Sequence, residues 1–198
     1  MINLVRQEER FKNHVAKFTD YGNIKILDFQ EPGQSEYRIR FMFEEDFYRL
    51  HITGDLGELI ACNYENMTYK GMKDFVNNPY YFEEKIDCHS RSLYTYDEKK
   101  AKEELKKDFE EEDSFYDDNY CDTWEEAVEC KIREILYDFD DVRGLGPEGY
   151  EALEKINFDA ASYTNLGQER TGIIELYLLA FRLAQEDLKR QESEVQHE

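Results

Sequence analysis

Positive charge is scarce in this chain: 25 lysines and arginines stand against 46 aspartates and glutamates among 198 residues, a formal net charge of -21 with the four histidines neutral. Such a field repels phosphate backbones, which excludes direct nucleic-acid binding by the molecule as a whole. Cysteine is sparse too. Cys62, Cys88, Cys121 and Cys130 are too few and too scattered to staple a protein of this size, so a disulfide scaffold is excluded and a reducing compartment expected. With three prolines and no apolar run near the roughly 20 residues that span a bilayer, a transmembrane segment is excluded. The start, MINLVRQEERFKNHVAKF, has no apolar signal-peptide core, and the expectation is a cytoplasmic protein.

Recognisable catalytic patterns are also missing. Gly54-Asp55-Leu56-Gly57 lacks the lysine and the following helix of a phosphate-cradling loop, and Gly144 to Gly149 lacks that context as well. No serine or cysteine nucleophile has a recognisable partner. There is no internal repeat and no Ser/Gly-rich linker.

What the chain does have is ring surface. Fifteen tyrosines and 13 phenylalanines need burial, and burying them offsets the chain entropy that keeps other highly charged sequences unfolded. The spacing of Leu4, Val5, Phe11, Val15 and Phe18 predicts an amphipathic helix over 3–18, closed by a turn at Asp20 to Asn23. Ile24 to Phe29 reads as a strand. Tyr37, Ile39, Phe41 and Phe43 then alternate with Arg38, Arg40, Met42 and Glu44. A turn at Glu45-Asp46 pairs Phe43 with Tyr48, Phe41 with Leu50 and Ile39 with Ile52, and a second at Gly54-Asp55 returns Leu56 to Cys62. The opposite face carries Arg38, Arg40, Arg49, His51 and Glu58, with His51 facing Glu58.

From Thr68 the period becomes helical. Asn78-Pro79 reads as a cap and first-turn pair, Asp97 caps a helix over Glu98 to Glu112 with a narrow stripe of Ala101, Leu105 and Phe109, and Thr123 with Glu126 forms a capping box. The last helix begins at Gly172 and is apolar on more than one face, which marks it as central. The expected fold is α+β: a small antiparallel sheet of three to four strands over about 24–62 packed with several helices, and an all-helical C-terminal half. The expected division is 1–90 as an α+β lobe and 91–198 as a helical lobe, in one integrated domain.

The chemistry-bearing stretch is 108–141, where fifteen carboxylates face only Lys131 and Arg133. Helix neighbours three and four apart lie roughly 5–6 Å from each other, comparable to successive phosphates on one strand. Such rows present a phosphate-like ladder to a basic groove, with the counterion release that DNA itself uses. The candidate partner-binding residues are Glu110, Glu111, Glu112, Asp113, Asp117, Asp118, Asp122, Glu125 and Glu126, with Phe115, Tyr116, Tyr120 and Trp124 as anchoring rings. A solvated helix face is the plainer account of any one such row. Cys88, His89, Cys121 and Cys130 form a candidate zinc set, although no CxxC or HxxxH pair announces one. A magnesium- or calcium-dependent enzyme could draw on the same carboxylates, but they lack ordered ligand spacing.

The acidic belt and the strand-turn-strand segment YRLHITGDLGELIACNY resemble, in composition and size, the small acidic proteins of phages and mobile elements that inhibit host defence nucleases, anti-CRISPR inhibitors of Cas9-type effectors among them. That resemblance implies a non-enzymatic inhibitor or adaptor in the host cytoplasm, occupying a positively charged channel of a nuclease and blocking DNA engagement. A zinc-stabilised interaction module is the alternative.

Overall fold

Alternation of buried and open side chains continues through more of this chain than its hairpins suggest. A computed structural model describes residues 2–111, 123–156 and 158–195. These fall into two compact units, 1–93 with 172–198, and 94–171.

In the first unit, helix α1 (Leu4–Arg10) leads into β1 (Val15–Tyr21), β2 (Ile24–Gln30), β3 (Ile39–Glu44), β4 (Arg49–Gly54) and β5 (Leu59–Cys62). Two short helices, α2 (Lys73–Val76) and α3 (Pro79–Glu83), precede β6 (Ile86–His89). All six strands form one antiparallel sheet in sequence order, so each strand pairs with its chain neighbour. Three to four strands were expected and six are present, because two pairings escape a periodicity reading. Val15 and Phe18 fit a helical stripe by spacing, yet Val15 is exposed while Ala16 and Phe18 share the core-facing side of a strand. The helix expected over 3–18 therefore ends at Arg10, capped by Asn3. β6 is four residues long with an irregular register against β5, too short to show a period.

One sheet face is apolar as expected. Leu27, Phe29, Ile39, Phe41, Phe43, Leu50, Ile52, Leu59 and Ala61 are buried, each large side chain contributing about 1.5–3 kcal/mol. They pack with the last helix of the chain (Ile173–Val195), whose Phe181 ring lies 5.2 Å from Phe41 and 6.0 Å from Phe43. That helix also contacts α2 and α3, which accounts for apolar residues on several of its faces. Gly54 is required at the end of β4, since its φ is 139° and a Cβ there would meet the Arg38 carbonyl oxygen at 2.1 Å.

The hairpin register differs from the expected one by two residues. Phe43 pairs with Leu50, Phe41 with Ile52 and Ile39 with Gly54, around a four-residue loop, 45–48. A slip of two leaves every side chain on its expected face. The β4–β5 register is also shifted by two, so His51 pairs with Ile60 instead of Glu58, and its Nε2 lies 3.1 Å from Glu44 Oε2.

The second unit holds β7 (Tyr94–Tyr96), α4 (Glu98–Glu111), α5 (Trp124–Ile135), α6 (Pro147–Lys155), a 3-10 turn at Ala160–Tyr163 and β8 (Gln168–Arg170). β7 and β8 form a two-stranded antiparallel sheet, so the C-terminal half is not all-helical as expected. Three-residue strands carry too little pattern to be read. The last helix, α7, groups with the six-stranded sheet, whereas the expected division placed it with 91–198. Ala101, Leu105, Phe109, Val128, Ile132, Ile135 and Leu153 form this unit's own core.

Candidate acidic interface

Helices α4 and α5 bury the stripe read from sequence and open on the expected caps. Asp97 Oδ1 accepts the Lys100 N–H at 2.8 Å, and Thr123 Oγ1 accepts the Glu126 N–H at 3.2 Å. Between the two caps, Ala101, Leu105 and Phe109 face Val128, Ile132 and Ile135, turning the polar residues of both helices outward.

Charge is uneven between the units. Residues 94–171 hold 24 acids against 10 bases, a net of -14; the remaining residues hold 22 against 15, a net of -7, which together make the -21 of the chain. The unit with fewer residues therefore carries two-thirds of the excess.

Three of the five lysines of α4 are committed. Lys99, Lys100 and Lys102 sit early in the helix, where cations oppose its dipole. Lys100 Nζ donates to the Gln168 carbonyl at 2.6 Å, and Lys102 and Lys106 both approach Glu129, at 3.8 and 3.9 Å. These contacts with α5 and β8 offset the dipole cost. They also remove Glu129 from the free carboxylates, as Lys131 does for Glu134 at 3.1 Å.

Other acids in the belt have structural duties. Asp108 accepts the Tyr163 hydroxyl at 3.0 Å. Asp138 receives the Glu148 and Gly149 N–H groups at 2.9 and 3.1 Å, which caps α6. Asp140 holds the 140–144 loop, accepting the N–H groups of Val142 and Arg143 and the Arg143 side chain, and this set of donors keeps its carboxyl below the usual range.

Glu110, Glu125 and Glu126 remain exposed with no ion pair to any described residue. Glu111 ends α4, and its side chain is outside the described set. Glu112, Asp113, Phe115, Tyr116, Asp117, Asp118, Tyr120, Cys121 and Asp122 lie outside the described residues; they are the segment that links α4 to α5 in the chain. Trp124, expected as an anchoring ring, packs partly buried against the unit's core.

Among the described residues no group of three or more His, Cys, Asp and Glu side chains could hold a metal ion. Cys88 and His89 are exposed on β6, and His89 Nδ1 is 2.7 Å from the Arg91 carbonyl oxygen. Cys130 is exposed on α5 of the other unit. On the sheet, Arg38, Arg40 and Arg49 are all exposed. Arg38 pairs with Asp55 and Arg40 with Asp28, at 3.4 and 2.6 Å, which sequence reading missed because both partners lie across strands.

Comparison with protein-family models, with curated proteins and with solved structures returns no match to this chain. Among the described residues, no helix is long and apolar enough to cross a membrane.

Proposed function

We propose that the protein is a non-enzymatic inhibitor or adaptor that docks the acidic face of its 94–171 unit on a lysine- and arginine-rich surface of a nucleic-acid enzyme in the cytoplasm. A DNA-binding channel of a defence nuclease, such as a Cas9-type effector, has the required chemistry. One observation carries the reading: -14 of net charge in this unit, with Lys100, Lys102, Lys106, Lys131 and Arg143 drawn into contacts of their own and Glu110, Glu125 and Glu126 left without cationic partners among the described residues. Carboxylate rows of this kind displace DNA by matching its charge, which needs no base readout.

Competition measures it directly. A guide-loaded Cas9-type nuclease holding a fluorescent DNA duplex is titrated with the protein, and release of the duplex is followed by anisotropy. Direct affinity of the labelled protein for the DNA-free nuclease is expected to weaken by about tenfold or more as salt rises from about 0.05 to 0.2 M, and release of the duplex at fixed salt to fall in the triple variant E110K/E125K/E126K. A triple variant that competes as well as the parent removes these carboxylates from the interface.

A further inference from the structure

The rim of the sheet where the 45–48 loop meets β5 and β6 carries rings that the core does not use. Phe47 is 70% exposed, Tyr64 93% and Tyr48 38%, and all three line one groove of about 460 Å³. A single exposed tyrosine is ordinary, whereas three rings around one concavity mark an interaction surface. The backbone of Tyr48 strengthens the point. Its φ of 49° is left-handed, a region that asparagine or glycine occupies more easily than a bulky residue. Among the described residues its ring stacks on no other aromatic, so the side chain faces outward at a conformational cost.

The groove lining is also acidic, with Glu84 and Asp87. Asp87 lies beside Cys62, and the thiol, hydrogen-bonded to that carboxylate and partly buried, has its pKa pushed up. Asp87 makes no ion pair with a described cation. Lys85, which also lines the groove, is drawn aside: its Nζ sits 4.5 Å over the Tyr81 ring and 3.5 Å from Glu84. Arg49 faces Cys62 across the strands without pairing to Asp87. Exposed rings and a carboxylate without an ion pair to a described cation, lining one groove, are what a guanidinium recognises, since it stacks by its plane and donates from its edge.

We infer that this groove receives an arginine side chain of a protein partner, its guanidinium stacked on Phe47, Tyr48 and Tyr64 and its N–H groups directed at Asp87. Lysine fits less well, because its ammonium is a compact, strongly hydrated point charge without a flat face. The site belongs to a different unit from the acidic helices and does not depend on them.

The test uses the full chain, labelled with nitrogen-15, at about 0.15 M salt. It is titrated with the peptide acetyl-Gly-Arg-Gly-amide, and separately with its citrulline counterpart, which has the same shape and no charge. Saturating amide shifts at Phe47, Tyr64 and Asp87 are expected with arginine and not with citrulline. Y64A and D87N, both at exposed positions, are each expected to weaken binding by about fivefold or more. Three results overturn the inference: shifts confined to α4 and α5, equal shifts with citrulline, or affinity unchanged in both variants. The first of these leaves the acidic-interface reading standing, so the two proposals fail separately.

Discussion

Asp187 on α7 accepts the backbone N–H of Ala16 on β1 across 2.8 Å, joining residues 171 positions apart. Gln191, one turn further on, donates to the Ala16 carbonyl at 3.0 Å and to Asp187 at 2.7 Å, and Arg190 pairs with the same carboxylate. Both outward backbone groups of Ala16 on the edge strand are thereby taken by the helix, which blocks part of the edge against pairing with another chain. Asp187 is buried, so D187A leaves the Ala16 N–H without an acceptor. The expected cost is about 1–3 kcal/mol in urea unfolding, with D187N losing less because its amide oxygen can still accept.

Tyr177 makes a second tie in the same unit, its hydroxyl donating to the Leu56 carbonyl at 3.1 Å. Burial pushes its pKa up to about 12 from an ordinary 10.0. The raised value fixes the sign. Below pH 10 the phenol is neutral in folded and unfolded chains alike and its stabilising contribution is whole; between pH 10 and 12 only the unfolded chain ionises, and stability falls. Unfolding midpoints measured from pH 8 to 11.5 should therefore drop above pH 10, and Y177F should drop less steeply. Equal slopes would assign the alkaline loss to other groups.

Asp140 works in the opposite direction. Hydrogen bonds from the Arg143 backbone and side chain, and from the Val142 N–H, lower its pKa from 3.8. A depressed carboxyl contributes stability above its unfolded value and loses that contribution as pH falls through the folded one. D140N should destabilise the 94–171 unit at pH 7, and the difference from the parent should vanish as pH drops well below 3.8. A difference that persists in acid would mean that the loop depends on shape and not on charge.

The apolar face of the sheet was readable because a strand's period of two survives errors of register. Phe41 and Ile52 lie on the face assigned to them even though the hairpin loop is four residues long. That length was hidden because Tyr48 occupies a left-handed position without the glycine or asparagine that announces one. β1 was hidden for another reason: its alternation depends on Ala16, too small to register as a core residue until β2 and α7 pack on it. Helix caps are local, and so Asp97, Thr123 and Asn78 were all legible. The charge pairings were not, since Lys102 and Lys106 find Glu129 only after α4 and α5 pack together.

That packing separates the carboxylates into two kinds, which charge reversal should distinguish. Glu129 is held by two lysines, so E129K gathers three cations and should cost about 0.5–1 kcal/mol of stability. Glu110 lies in the last described turn of α4, where a carboxylate opposes the helix dipole. E110K should leave stability unchanged or raise it by about 0.3–1 kcal/mol, while weakening capture by a cationic partner. Thermal melts beside the anisotropy competition read both quantities. A destabilised E110K would place Glu110 in the fold and not in the interface.

Tyr48 offers the same contrast on the sheet. Holding a bulky residue in the left-handed region costs about 1–2 kcal/mol relative to glycine, against which glycine loses about 0.5–1 kcal/mol through the greater freedom of the unfolded chain. The Asn63 N–H donates to the Tyr48 carbonyl at 3.1 Å, and this backbone contact survives substitution. Y48G should therefore be as stable as the parent or more stable by up to about 1.5 kcal/mol, with arginine-peptide affinity reduced. Had the ring been kept for packing, removing it would destabilise the 45–48 loop, and Y48G would melt below the parent. A stable variant that no longer binds arginine locates the use of the ring outside the fold, in a partner's side chain.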